Sequence, residues 1–283
     1  MRNVLTIDVE DWYQTNGFNI PIENWGNFRD RVVVNTQRLL DVLDKNRVHA
    51  TFFILGCVAQ KYPDLVLDIA RQGHEVGSHG GWHRLVSQQT LEEFRQDLLF
   101  SKHTLERILN KPVTLYRAPS WSISPNRFRV LEILSEEGFV CDSSIQPFRT
   151  PLSGIAGAPL VPFYPIVEGK RLDILEFPPT VLNICKMRIP FSGGFYLRAA
   201  PYAMISWALS HLNKTRPGMI YIHPWELDRQ HPRLNAAPSY KRFIHYFNMD
   251  STHCKLNRLL NEFEFGSLGE VIKQGSYPAL SLS

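Results

Sequence analysis

His79 and His83 stand four residues apart, with Gly80-Gly81 between them and the strand-like run His74 to Gly77 leading in. On a helix, positions i and i+4 share a face. Two glycines in one turn, however, cost roughly 2 kcal/mol of helix propensity, and the His-Glu-x-x-His pattern of zinc proteases is absent. A loop leaving a strand end fits better. Glycine there lets the backbone turn sharply and brings two imidazoles to one point, where they can ligate a divalent metal, zinc above all. The alternative for this stretch is one buried, hydrogen-bonded His and one surface His.

Other reactive types sit after other apolar runs. Asp8, Glu10 and Asp11 follow Val4 to Ile7, and in extended chain Asp8 and Glu10 point to one side. That much like charge is unfavourable to bury without a cation, although a solvated acidic turn would also accommodate it. Arg117 follows Val113 to Tyr116 and is able to clamp a carboxylate through two parallel hydrogen bonds, unless it is an ordinary rim Arg. His223 follows Met219 to Ile222. Two His and one carboxylate on a metal leave room for water and substrate. A second carboxylate, an Arg and a further His would complete an acid–base hydrolase.

The elements that must position these groups alternate along the chain. Val4 to Ile7 reads as a buried strand, Trp12 to Arg31 as a long loop, and Val33 to Asn46 as a helix. Ala50 to Gly56 is the next strand, and Tyr62, Leu65, Val66 and Ile69 mark a short amphipathic helix that Gly73 ends. After the His stretch comes a helix from about Thr90, its N-cap, to Leu109. Strands follow at Val113 to Tyr116, Phe139 to Cys141, Asp173 to Phe177 and Met219 to Ile222. Asn126 to Glu137, the Tyr202 to Leu212 face and the Leu256 to Phe263 face read as helices. Gln146 to Pro165 is rich in Pro and Gly, and Asp228 to Tyr246 is polar and Pro-containing, so both read as irregular. The order implies an α/β fold with a parallel sheet and crossover helices, in one domain. Barrel-type α/β enzymes place their sites at the C-terminal strand ends, where these groups fall.

Composition narrows the class. Hydrophobic content of 44% and charged content of 20% fit a soluble globular chain. The net charge of +4 is scattered, with no basic run for nucleic acid. No apolar run is long enough to span a bilayer. The four cysteines form no CxxC pair, and Cys57 and Cys141 lie in apolar stretches, which implies buried free thiols. Met1-Arg2-Asn3 runs into the first strand with no apolar leader segment, so a cytoplasmic location is expected.

These motifs, in this order over roughly residues 1 to 230, resemble the polysaccharide deacetylases with the NodB homology domain, the carbohydrate esterases of family four. Thr6 to Asp11 resembles the first motif. Its usual form, TFDDG, has adjacent aspartates, and this chain departs from it toward the Asp-x-Asp or Asp-x-Glu branch. That branch implies Asp8 as base and Glu10 as metal ligand, with Asp11 as the alternative ligand. His79-Gly80-Gly81-Trp82-His83 matches the two-histidine metal motif. Arg117-Ala118-Pro119-Ser120-Trp121 matches the third, implying that Arg117 orients the base and Trp121 lines the groove. Met219 to His223 resembles the last motif, with His223 as general acid.

The resemblance implies a distorted (β/α) barrel and a single domain over 1–283, with 224–283 a family-specific extension packed on it. It implies removal of N-acetyl groups from an amino sugar with a divalent metal: zinc, or else cobalt or nickel. Trp121, Trp225, Arg198 and Tyr196 are the expected substrate-binding residues. The GGFYLR and HPWELD stretches resemble a subgroup associated with bacterial exopolysaccharide and exosortase systems, whose members would meet precursors inside the cell. Two rivals remain: a cyclic-amide hydrolase of the allantoinase-like kind, and a carbohydrate-binding protein without activity.

Overall fold

The computed structural model describes residues 1–234 and 237–282. Its first half alternates strand and helix: β1 (Asn3–Val9), α1 (Val32–Asn46), β2 (Thr51–Ile54), α2 (Gly56–Lys61), α3 (Pro63–Arg71), β3 (Glu75–Ser78), α4 (Leu91–Leu109), β4 (Leu115–Tyr116), α5 (Arg129–Glu136) and β5 (Cys141–Asp142). The second half is less regular. It holds β6 (Tyr164–Val167), β7 (Lys170–Arg171), β8 (Leu175–Glu176), the hairpin β9 (Val181–Ile184) and β10 (Met187–Pro190), α6 (Gly194–Ala199), α7 (Tyr202–Leu212) and β11 (Met219–Ile222). The chain ends through α8 (Ser239–Tyr246), α9 (Asp250–Glu262), β12 (Phe265–Gly266), α10 (Leu268–Ile272) and β13 (Ala279–Ser281).

The main sheet runs β11-β1-β2-β3-β4-β5-β8, with every pairing parallel, and β12 adds to the start of β1. The sheet curls into a half-barrel. Between β8 and β11 the gap is bridged by single contacts: Met219 N donates to Thr180 Oγ1 (2.7 Å) and Tyr221 N to Ser192 O (2.9 Å). A Cβ on Gly193 would stand 2.3 Å from Tyr221 O, so only glycine allows this approach. All seven residues of β1 are buried, as parallel strands covered on both faces must be. One hydrophobic cluster runs from Leu5 through to Phe265.

Local chemistry explains the better-placed boundaries. Thr90 Oγ1 accepts from Glu93 N and Glu93 Oε2 accepts from Thr90 N (2.7 Å), a capping box that starts α4. Pro63 occupies the first turn of α3, where its missing N–H costs nothing. Elsewhere the structure revises the expectations. The strand expected over Ala50 to Gly56 stops at Ile54, because the chain turns into α2. The helix expected from Asn126 begins at Arg129, after a 3-10 turn at Pro125–Arg127. The polar stretch to Tyr246 ends in a helix, α8. Cys141 is buried, but Cys57 is half-buried. No helix among the described residues is long and apolar enough to cross a membrane.

The Trp12 to Arg31 loop contains only a 3-10 turn (Ile22–Asn27). It is fixed by an aromatic cluster in which Trp12, Tyr13 and Trp25 meet Trp225 and Met249. Asp228 anchors its end. The buried Asp228 carboxylate pairs with Arg31 and accepts from Asn35 Nδ2 (3.1 Å) and Gln230 N (3.0 Å). Burial alone would raise this carboxyl, but the hydrogen bonds, Arg31 first, hold it at about 2 against an ordinary 3.8. A depressed folded pKa gives stability that is complete above the ordinary value and lost as pH falls through the folded one. Asp228→Asn is therefore expected to lower the urea midpoint at neutral pH and to flatten its decline between about pH 4 and pH 2. Urea titrations across that window check this, and an unchanged acid decline would contradict it.

Candidate active site

Asp8 and Glu10 leave the end of β1 on one side and enter a cleft of about 390 Å³ that His79, His83, Trp121 and His223 also line. Glu10, His79 and His83 offer ligand atoms that all lie within 4.8 Å of one another, and all three residues are buried. His83 Nε2 is 2.6 Å from Glu10 Oε2. His79 Nδ1 is 2.8 Å from Arg117 O, so the proton belongs on Nδ1 and the Nε2 lone pair is free. Burial pushes His79 down to about 4, which keeps its ring neutral. Burial works against the Glu10 charge, but His83, His223 and His79 outweigh it and bring that carboxyl to about 2. A buried carboxylate grouped with two buried imidazoles, their ligand atoms within 4.8 Å of one another, is a donor set that fits a divalent cation with open positions.

Backbone geometry explains why two glycines separate the histidines. Asp97 accepts from Gly81 N (2.6 Å) and Trp82 N (3.2 Å), and a Cβ on Gly81 would stand 2.7 Å from its Oδ1. His83, Ser120 and Trp121 all adopt left-handed backbone angles, with φ of 52°, 53° and 50°. Non-glycine residues in this region store strain, and three of them meet at the cleft. Asn16, from the long loop, sits 3.1 Å from both His83 Nδ1 and Ser120 Oγ.

Arg117 is fully buried at the end of β4. Its Nη1 donates to Asp8 Oδ1 (2.7 Å) and Thr6 Oγ1 (2.8 Å), and its Nη2 to Ser143 Oγ (3.0 Å). Asp8 Oδ2 is left facing His223, whose Nε2 is 4.0 Å away and 3.9 Å from Glu10 Oε1. On its other side His223 Nδ1 meets Glu226 Oε1 at 2.7 Å. Glu226 is itself paired with Arg198 at 2.9 Å. Burial opposes the imidazolium, but the Glu226 hydrogen bond and the charges of Glu10, Glu226 and Asp8 raise His223 to about 9.

Asp8, Glu10, His79, His83, Arg117, Trp121 and His223 therefore converge. Tyr196 also lines the cleft, half-buried. Three expectations are corrected. Asp11 is not a ligand: its carboxylate accepts from Arg31 N (2.7 Å), Val32 N (3.0 Å) and Trp12 N (2.9 Å), which starts α1. Trp225 lines the cleft but is only 5% exposed, with His223 stacked on it at 5.1 Å and His245 at 4.2 Å, so it presents little surface to a sugar. Its Nε1 instead donates to Glu10 Oε1 (3.1 Å). Arg198 borders the cleft but is directed into the protein, where it holds Glu226 and the carbonyls of Ile244, His245 and Phe247.

Glu226, Asp97 and Asn16 were missed from the sequence. The i, i+3 spacing of His223 and Glu226 was the available signal for Glu226, since side chains three apart meet in a helical turn. Asp97 and Asn16 act across tertiary contacts that carry no local signal.

Residues 25–138 match the family model described as polysaccharide deacetylase, and residues 143–273 match one described as a domain of unknown function, DUF3473. Peptidoglycan-N-acetylmuramic acid deacetylase PdaC of Bacillus subtilis is 34% identical over 89 residues, which is 31% of this chain and 19% of that protein. A peptidoglycan-N-acetylglucosamine deacetylase of Bacillus cereus is 33% identical over 94 residues, 33% of this chain and 44% of that one. The chain thus spans less than half the length of these curated relatives. A crystal structure of a Mycobacterium smegmatis protein classed as a polysaccharide deacetylase superposes with a TM-score of 0.63 at 18% identity, covering 100% of this chain and 93% of that one. The Bc1960 peptidoglycan N-acetylglucosamine deacetylase gives 0.53 at 17%, covering 98% and 90%. At such identities the two likenesses establish the fold.

The His223–Glu226 contact yields a direct test. Glu226→Gln removes the charge that supports the imidazolium, so the His223 pKa is expected to fall by one unit or more, roughly the worth of a charge-assisted hydrogen bond. Titration of the His223 ring resonances by NMR checks it, and an unmoved pKa would contradict the assignment.

Proposed function

We propose that this chain, which belongs to the polysaccharide deacetylase family through residues 25–138, is a hydrolase that removes N-acetyl groups from an amino sugar of a bacterial polysaccharide or its precursor. The observation that carries this is the convergence of a Glu/His/His cluster, an Arg-held carboxylate and a Glu-held imidazole in one cleft. The names of the relatives, deacetylases of peptidoglycan N-acetylglucosamine and N-acetylmuramic acid, support an N-acetylated sugar as substrate.

A divalent cation held by Glu10, His79 and His83, zinc or else cobalt or nickel, would supply Lewis-acid polarisation of the amide carbonyl and a more acidic water. Asp8 is the base: Arg117 fixes Oδ1, and Oδ2 is free to take the proton of the attacking water. His223 is the acid. With Nδ1 on Glu226 and a pKa near 9, it carries a proton on Nε2 at neutral pH and delivers it to the leaving amine. Amines leave poorly unless protonated, so this transfer is needed as the C–N bond breaks. The products are acetate and the free amino sugar. Trp121 and Tyr196 line the sugar's path in the cleft.

The proposal extends to organisation and setting. Residues 224–283 act as a family-specific extension packed on the barrel, supported by α9 against α1 and by β12 beside the start of β1. The resemblance of the GGFYLR and HPWELD stretches supports an exopolysaccharide substrate. Four cysteines without a disulfide suit a reducing cytoplasm.

The test is acetate release from N-acetylated amino-sugar oligomers by protein loaded with zinc, cobalt or nickel. Asp8→Asn is expected to cut turnover by about 10²–10⁴, the range for a general base, with metal content unchanged. Near-normal turnover in that variant would overturn the base assignment. Release of ring-opened product from cyclic amides, or sugar binding without turnover under every metal, would overturn the deacetylase reading.

A further inference from the structure

The catalytic groups occupy only part of the cleft lining. The remainder is largely apolar and includes Phe18, Leu152, Phe195, Tyr196, Tyr240 and Ile244. Two of these stand on α8, where Tyr240, Phe243 and Ile244 are 60%, 55% and 46% exposed. An aromatic ridge continues the face: Phe243 contacts Phe195 (6.1 Å), Phe195 contacts Tyr196 (5.8 Å), and Tyr196 contacts Phe148 (5.6 Å). The β9–β10 hairpin is tied to the segment that carries Phe148, since Arg188 Nη1 donates to Pro147 O (2.6 Å) and Ala158 O (2.8 Å). Met187, near the hairpin tip, is 62% exposed.

The charge of these segments is one-sided. Residues 143–167, 177–225 and 229–249 contain no Asp or Glu, although the chain has 27, and they contain ten Lys and Arg. Arg149, Lys186, Arg233 and Arg242 among them are exposed. Exposed aromatic and aliphatic side chains interleaved with cations are the composition of an interfacial helix and its surroundings.

We propose that this face docks on an anionic lipid surface, with α8 lying in the interface and the cleft opening toward a saccharide carried on lipid. Insertion removes Phe243, Ile244 and Met187 from water, and the exposed cations meet acidic headgroups. A free oligosaccharide gives no use for aliphatic groups at the rim. A symmetric pairing of two copies through this face would set its cations against each other. The identity of the lipid-borne saccharide rests on the deacetylase reading; the docking itself does not.

The test is co-sedimentation of the full chain with vesicles of phosphatidylglycerol and phosphatidylcholine, beside pure phosphatidylcholine. Binding is expected only with the anionic lipid and is weakened by about 0.5 M salt. The double variant Phe243→Ser/Met187→Ser, exposed and outside the cleft lining, is expected to bind about tenfold more weakly or worse while releasing acetate from soluble N-acetylated oligomers at the original rate. Lys186→Glu, at the hairpin tip, separates the charge contribution and is expected to weaken anionic-vesicle binding as well. No binding at low salt, binding undiminished in the variants, or a dimer of the original chain that the double variant abolishes would overturn the proposal. Vesicle binding without acetate release from any N-acetylated sugar would uphold docking and remove the deacetylase reading; acetate release without vesicle binding would do the reverse.

Discussion

The site depends on one fully buried cation. Arg117 has no solvent to satisfy it, so the barrel must supply its partners. Asp8 and Thr6 come from β1, Ser143 from the end of β5, and Met219 Sδ from β11 at 3.0 Å. Its carbonyl meets His79, at the end of β3. One residue, through its side chain and its carbonyl, thereby sets the relative positions of strands that carry the proposed base, a metal-ligand candidate and the proposed acid. Removing one member of such a buried pair costs about 3–5 kcal/mol, because an uncompensated charge remains. Structural and chemical demands on Arg117 are therefore the same demand.

A second buried arginine organises the other wall. Arg198 holds Glu226, which holds His223, and it also gathers three carbonyls at the end of α8 and just beyond. Trp225 lies between the rings of His223 and His245 and donates to Glu10. The proposed acid, the candidate metal-ligand carboxylate and the apolar helix at the rim are thus mechanically joined. Lys255 reinforces the base of α6 by donating to the carbonyls of Leu197, Arg198 and Ala200.

Strand ends were legible because buried parallel strands are short apolar runs, and the reactive residues directly follow them. Asp8, Glu10, His79, Arg117 and His223 were found this way. The α4 start was legible because a capping box is local. What escaped notice depends on contacts distant in sequence. Asp11 looks like a spare ligand until Arg31 and Val32 come round to occupy it. Trp225 looks like a sugar platform until His245 covers its second face. Arg198 looks like an outward recognition group, yet its partners lie some 28 to 49 residues onward. Strand β6 pairs with β13 from the far end of the chain, and α8 carries its large apolar side chains outward, against the usual pattern.

The central claim is that Glu10, His79 and His83 bind one divalent cation and Asp11 does not. Elemental analysis of the purified protein, after zinc reconstitution and removal of free metal, tests it most directly. One zinc per chain is predicted for the original protein and for Asp11→Asn, with loss in Glu10→Gln and in His79→Ala/His83→Ala. Full occupancy in those two variants, or no zinc in the original protein, would contradict the account.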